Sequence, residues 1–225
     1  MLFDRNLTIR FVWRIMVLKK TDRPKGAKPV HHLFYLMGKS ASGKDTIYQH
    51  LRAQFPQLRS MVLYTTRPKR ANEQEGREYY FISDEQLAQM RSADRLIEER
   101  TYHTQQGDWT YCTAKDSADL SISSYLGMGT LESYSKLCAH LGRACVIPIY
   151  INVEDGIRLQ RALERERAQN VPNYAEMCRR FLTDSQDFSE ENLRAAGIGE
   201  RFENLVLEQC TEEIAARIRQ LLSEE

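Results

Sequence analysis

The sequence predicts an α/β fold of the phosphate-loop type: three layers on a parallel core sheet, with a small inserted lobe and a helical lid. Three observations carry this. The stretch MGKSASGKDT (Met37 to Thr46) has the spacing G-x-x-x-x-G-K of a phosphate-binding loop. An apolar run precedes it and a helix-period segment follows it, which is the context such a loop requires. The same alternation of short apolar run and amphipathic segment recurs toward the C-terminus.

The first unit starts at His32. Leu33 to Met37 (LFYLM) reads as a buried strand, and the segment after the loop places Ile47, His50, Leu51 and Phe55 on one helical stripe. A second strand is expected through Met61 to Thr65 (MVLYT), delivering TTRPKR to a sheet end, where ligands of open α/β sheets bind. Glu78 to Ser83 reads as an edge or hairpin strand. Ser83 with Gln86 forms a capping box opening the short helix DEQLAQM. These elements are too short for a crossover unit and read as an inserted lobe.

Helix period returns in LESYSKLCAHLG, with Leu131, Tyr134, Leu137, Cys138 and Leu141 on one face and Gly142 as C-cap, leading into the strand CVIPIYI. Val153 to about Ala168 is an arginine-rich helix, and a second polar helix starts near Tyr174 after the break NVPN. The chain is expected to close with a strand at about Leu205 to Leu207. A helix with Ile214, Ile218, Leu221 and Leu222 on one stripe follows, capped by Thr211.

Length and composition fit one domain with inserts: 225 residues, 42% hydrophobic and 28% charged. A formal charge of +1 gives no argument for nucleic acid or membrane binding. The charge is uneven, since residues 1–28 carry eight Lys or Arg against Asp4 and Asp22. Residues 1–31 are therefore read as a basic extension. It is either an amphipathic targeting or membrane-surface segment, or a translation start placed early, with Met16 the true one. No apolar run approaches the roughly 18 residues that span a bilayer. The five cysteines form no C-x-x-C pair, so a reducing, cytoplasmic compartment is expected.

In the loop, Gly38, Lys39, Ser40, Ala41, Ser42 and Gly43 lead into Lys44, so that backbone N–H groups and a helix N-terminus converge on one anion and Lys44 bridges the β and γ phosphates. ATP is the expected ligand. Asp45 stands where the pattern has a hydroxyl. A carboxylate of similar reach suits a hard cation, so Asp45 is the expected Mg²⁺ ligand, with Thr46 a second hydroxyl. Its charge beside the phosphates predicts a tighter dependence on the metal. Downstream, Arg67 and Arg70 flank Pro68, with Tyr79 nine residues on. Two guanidinium forks and a phenol suit a monophosphate.

With the phosphate loop and T-T-R-x-x-R-x(8)-Y both present, the sequence resembles the guanylate kinase family of nucleoside monophosphate kinases, from His32 to the C-terminus. The resemblance implies transfer of the ATP γ-phosphate to GMP with Mg²⁺. It gives the GMP phosphate to Arg67, Arg70, Tyr79 and Tyr111, and the guanine base to Glu98 and Thr113. Lys44, Arg161, Arg165 and Arg180 become the catalytic cations, the arginines lying on a lid. It also implies one domain over 32–225, with core 32–64, 115–152 and 189–225, an NMP-binding lobe at about 65–114 and a lid at about 153–188. The other lid arginines, Arg158, Arg167 and Arg179, are expected on a solvated face.

Departures bear on substrate choice. Leu63 stands at a serine position and Cys112 at a glycine, and LGMGTL (Leu126 to Leu131) replaces the family's D-x-D-x-Q-G, losing both aspartates. Asp45 would then compensate for a lost metal ligand. Extra residues between Glu98 and Tyr111 bring Tyr102, His103 and Trp109, with Trp109 expected in packing and His103 on the surface. Another acceptor nucleotide or small phosphate ester, or a guanylate-kinase-like binding module with weak catalysis, stays open. Oligomeric state is not legible.

Overall fold

The computed structural model describes residues 31–70, 72–104 and 107–223; the extension read at 1–31 lies, apart from His31, outside them. Strand β1 (Leu33–Met37) is buried along its whole length and forms the centre of an all-parallel sheet. Its neighbours are β7 (Tyr125–Gly129) and β8 (Val146–Asn152), with β2 (Arg59–Ser60) and β9 (Phe202–Glu203) at the edges, in the order β2-β7-β1-β8-β9. Burial on both faces explains why β1 is a continuous apolar run rather than an alternating one.

Successive β1 side chains serve opposite layers. Phe34 and Leu36 pack with Ile47 and Leu51 of α1 (Lys44–Gln54) and with Ile214 and Ile218 of α7 (Leu207–Leu222). Leu33, Tyr35 and Met37 face Tyr134 and Leu137 of α3 (Leu131–Leu141) and Leu193 of α6 (Glu190–Ala195). Each fully buried Leu or Ile contributes about 1.5–3 kcal/mol, so Leu51→Ala alone is expected to cost about 2–5 kcal/mol.

A second, four-stranded sheet has the order β4-β3-β6-β5. It contains β3 (Leu63–Thr65), the parallel edge strand β4 (Tyr79–Phe81) and a long antiparallel hairpin of β5 (Leu96–Thr104) and β6 (Gly107–Ala114). Between β4 and β5 runs α2 (Asp84–Ser92). Its capping box is formed: Ser83 Oγ accepts from the Gln86 N–H at 3.2 Å, and Gln86 Oε1 from the Ser83 N–H at 2.8 Å. The arginine-rich segment forms α4 (Asp155–Arg167) and α5 (Tyr174–Asp187), joined through Glu166, whose carboxylate accepts the Asn173 N–H. Among the described residues, no helix is long and apolar enough to cross a membrane.

Several local expectations are corrected. Met61 to Thr65 is not one strand: the Met61 N–H bonds the Leu126 carbonyl at 2.9 Å in the core sheet, and the chain then leaves to begin β3 in the other sheet. On α1 the buried stripe uses Tyr48, while His50 is exposed. The last strand lies at Phe202–Glu203 rather than at Leu205 to Leu207. Thr211 is inside α7, not at its cap, and its hydroxyl donates to the Leu207 carbonyl at 2.7 Å.

Candidate active site

The phosphate loop joins β1 to α1. Gly43 sits in the left-handed region (φ 86°), and a Cβ there would lie 2.4 Å from Asn204 Nδ2, so glycine is required twice over. Ala41 shares that region (φ 63°) without being glycine. Gly38 has no room for a side chain, because a Cβ would meet Ser42 Oγ at 2.7 Å and the Ile151 carbonyl at 2.8 Å. Buried Asn204, just after β9, donates to the Ser42 carbonyl at 2.8 Å and fixes the loop from below. Ser42 Oγ and Asn204 Oδ1 are buried with no protein hydrogen-bond partner.

Lys44 opens α1 with Asp45 and Thr46 beside it. Asp45 projects into solvent, its carboxylate 3.8 Å from Lys44 Nζ. Among the described residues no three His, Cys, Asp or Glu side chains cluster as a metal site. A single free carboxylate at the phosphate end of the loop fits Mg²⁺, which takes one or two carboxylates and completes its shell with phosphate oxygens and water.

Ser40 is where helices α4 and α5 meet the loop. Its N–H donates to Asp184 of α5 at 2.6 Å, its carbonyl accepts from Arg158 of α4 at 3.1 Å, and its hydroxyl accepts from Arg180 at 3.3 Å. Arg158 is fully buried, against the expectation of a solvated face. It bonds Asp155 at 2.9 and 3.1 Å, lies 3.6 Å from Asp184, and stacks its guanidinium 4.2 Å from the Phe181 ring centroid. Lys39 adds a 3.2 Å bridge to Asp155. Arg165, Arg180 and Arg158 line a cleft of about 180 Å³ beside Ser40. Arg161 turns away from it, donating to the Asn204 carbonyl at 3.0 Å.

On the second sheet one face gathers the acceptor candidates. Arg67 is buried. Its fork bonds Glu73 at 2.7 and 3.0 Å, its Nε donates to the Tyr111 hydroxyl at 3.1 Å, and the Tyr79 ring stands 5.5 Å away. The Tyr79 and Tyr111 rings meet edge-on at 5.5 Å. Burial raises the Tyr79 phenol above its ordinary pKa, with Tyr111 and the Asp45 charge adding to it. Arg70 is exposed and held through its backbone, its N–H donating to the Glu73 carboxylate at 2.8 Å and its carbonyl accepting from the Glu73 N–H at 3.1 Å. Two rows along, Glu98 accepts from the Thr113 hydroxyl at 2.7 Å and from Arg100 Nε at 2.9 Å, and Arg100 Nη1 reaches Thr130 on the core at 3.0 Å.

The structure thus brings Arg67, Tyr79 and Tyr111 together, and pairs Glu98 with Thr113 across the hairpin. Sequence reasoning missed Arg158, Asp184, Asn204, Glu73 and Arg100. For Asp184, Glu73 and Asn204 the signal was only a carboxylate or amide near an expected arginine or loop. Tyr35 explains part of the changed strand end. Its hydroxyl bonds Ser133 at 2.7 Å and lies where any side chain at Gly129 would project. Leu63 and Cys112, the other departures, are buried. Trp109 is half-buried, and His103 is exposed in a 2.7 Å contact with Asp108.

A family model described as guanylate kinase matches residues 31–224. Curated relatives similar to parts of the chain include the guanylate kinases of Symbiobacterium thermophilum, Synechococcus sp. and Leifsonia xyli subsp. xyli. The first is 45% identical over 77 residues (34% of this chain, 34% of the relative) and the second 38% over 85 (38% and 39%). The third is 33% identical over 90 residues (40% and 35%). The chain therefore spans little more than a third of the length of these relatives. A crystal structure of guanylate kinase from Anaplasma phagocytophilum superposes with a TM-score of 0.56 over 85% of this chain and 87% of that one, at 17% identity, a likeness of fold.

Proposed function

The chain belongs to the guanylate kinase family, and from that premise we propose that it transfers the γ-phosphoryl group of ATP to a nucleoside monophosphate, with GMP the favoured acceptor and GDP and ADP the products. One observation carries the reading: a phosphate loop tight at Gly38 and Gly43, whose third residue, Ser40, is held by α5, occurs in one chain with the buried Arg67–Tyr79–Tyr111 cluster of the second sheet.

The loop N–H groups and Lys44 hold the donor phosphates. Arg67, Arg70, Tyr79 and Tyr111 grip the acceptor phosphate, the Arg67 fork exchanging Glu73 for phosphate oxygens. Arg165 and Arg180 neutralise charge on the equatorial oxygens while the lid excludes water. An acceptor phosphate oxygen attacks the γ-phosphorus, the bond to the bridging oxygen breaks, and ADP leaves. That oxygen is already nucleophilic, so alignment and charge neutralisation carry the rate. Mg²⁺, when bound, withdraws charge from the phosphate oxygens, and Asp45 with Thr46 would hold it. Arg161, bonded to the Asn204 carbonyl, supports the loop from the lid side in this reading.

The test is ADP release from Mg²⁺ATP with GMP, dGMP, AMP, UMP and CMP offered separately, and Arg67→Ala as control. Turnover with GMP that is lost in the variant supports the reading. Turnover only with another acceptor changes the substrate and keeps the chemistry. Tight ATP binding without turnover favours a binding module.

A further inference from the structure

A cavity of about 610 Å³ lies between the hairpin edge and the core, walled by Arg100, Tyr102, Thr130, Glu132, Asp187 and Asn192. Its size suits a nucleobase and ribose. It continues the acceptor face, because Glu98, Arg100 and Tyr102 alternate along one side of β5 opposite Thr113, Tyr111 and Trp109 of β6. Glu98 is not among the lining residues. Its side chain is 0% exposed, with one carboxylate oxygen taken by Thr113 and the other by Arg100. What meets the cavity is the guanidinium that covers Glu98.

The two groups ask for opposite things. A carboxylate accepts, and would read the N1–H and 2-amino donors of guanine, whereas a guanidinium only donates, and pairs with the O6 and N7 acceptors of a 6-oxopurine. Resting on the kinase reading above, we propose that Arg100 is the specificity-determining residue of the acceptor pocket. By occupying Glu98 it makes the enzyme select 6-oxopurine monophosphates, GMP and IMP alike, without reading the 2-amino group. Glu98 acts here as a positioning residue, fixing the fork that Thr130 orients from the core side. Adenine presents its 6-amino donor to a donor and is rejected. Of the other carboxylates on the wall, Glu132 is already bridged to Lys136 at 2.7 Å and Glu99 to Arg91 at 2.8 Å, and Asp187 lies on the α5 side, so none stands in the covered position of Glu98 beside Thr113.

The experiment is kcat/KM for GMP, IMP and AMP with Mg²⁺ATP, in the native protein and in Arg100→Met and Arg100→Lys. In the native protein GMP and IMP are expected within roughly tenfold of each other and both at least tenfold above AMP, the discrimination of one good fork contact. Arg100→Met uncovers Glu98, so the GMP-to-IMP ratio rises tenfold or more while the KM for ATP stays put. A purely structural role would lower all three acceptors together and leave the ratio fixed. Arg100→Lys keeps the charge beside Glu98 should the methionine variant fold poorly, and is expected to lose O6 recognition while holding the ratio near the native value. A native ratio above tenfold, or an unchanged ratio in Arg100→Met, overturns the inference with the kinase reading intact. If no monophosphate turns over, both fall.

Discussion

The carboxylate of Asp184, on the second lid helix, accepts the backbone N–H of Ser40 in the phosphate loop at 2.6 Å. A carboxylate standing on a loop N–H places a negative group beside the phosphate site, and the cation that balances it is Arg158, 3.6 Å away and also bonded to the Ser40 carbonyl. Lid and loop therefore share one ionic network in which Ser40 is held through N–H, carbonyl and hydroxyl together.

Removing the cation tests that network. Arg158→Met takes the nearest cation from Asp184 and leaves Asp155 with Lys39 alone at the mouth of the loop, and is expected to lower stability by about 3 kcal/mol, as for other broken buried pairs. The same two charges oppose incoming phosphates, so the KM for ATP should rise roughly tenfold or more, with little change for the acceptor. Arg158→Lys is expected to recover only part of either loss, because one ammonium cannot serve the carbonyl and both carboxylates. Urea denaturation and steady-state kinetics measure both effects. Unaltered ATP kinetics in Arg158→Met would detach the network from donor binding.

Gly43 is the tightest point of the loop. An alanine there must adopt φ 86°, costing roughly 1–2 kcal/mol, and its Cβ would sit 2.4 Å from Asn204 Nδ2. Asn204 then loses its bond to the Ser42 carbonyl. Gly43→Ala should abolish measurable ATP binding, while Asn204→Ala, which introduces no clash and loses only the tether, weakens it less. Calorimetric titration of both variants with ATP decides the order.

Most of the core was legible because its signals are local. LFYLM is buried on both faces and so cannot alternate, Ser83 and Gln86 lie three residues apart, and Gly142 takes φ 90° at a helix end. The long hairpin was not, because LIEERTYHT carries six polar or charged residues. Its pattern makes sense only once the site-facing side is known to be polar: Glu98 and Arg100 point into a paired network rather than into oil. Arg158 was illegible for the same reason. With Arg167 and Arg179 it read as one of three solvated arginines, and only the fold brings Asp155, Asp184, Ser40 and Phe181 around it. The last strand lies earlier than the apolar Leu205 to Leu207 suggested, because Asn204 both continues the pairing to the Asn152 carbonyl at 2.9 Å and turns its side chain to the loop, a role that a polar residue does not announce in sequence.

Glu73 links stability to pH. The Arg67 fork, followed by the Arg70 backbone N–H, holds its carboxyl below the usual range despite the opposing effect of burial. A carboxylate with a depressed folded pKa contributes stability that is fully present above the unfolded value of about 4.3 and is lost as pH falls through the folded one. Glu73→Gln should therefore be less stable than the native protein at pH 7 by about 2 kcal/mol. The gap is expected to narrow as pH drops below about 4.3. Chemical denaturation across pH 3 to 7 checks this, and parallel profiles would remove Glu73 as the source.

All five cysteines are free, and their environments separate them. Burial pushes the Cys112 thiol up to about 12 and the Cys210 thiol up to about 11, so neither forms an appreciable thiolate near neutral pH. Cys178 is exposed on the lid. Alkylation of the native protein at pH 8, read by peptide mass mapping, is expected to modify Cys178 first and to spare Cys112 and Cys210 until denaturant is added. Early labelling of Cys112 would mean that the second sheet opens readily.

Asp45 is expected to set the metal dependence. Its exposed carboxylate lies 3.8 Å from Lys44 Nζ, and its charge adds to the burial that raises the Tyr79 phenol. Without a divalent ion it repels the donor phosphates, and with one it becomes a ligand. ATP should therefore bind roughly tenfold more weakly to the native protein than to Asp45→Ser in EDTA, and the gap should close or reverse in Mg²⁺. Asp45→Ala is expected to lose turnover and to need more Mg²⁺ for what remains, since Thr46 alone offers a neutral oxygen. Calorimetry in EDTA and in Mg²⁺, beside a Mg²⁺ titration of turnover, separates these effects. Identical metal dependence in native protein and Asp45→Ser would show that the carboxylate neither repels phosphate nor holds the ion.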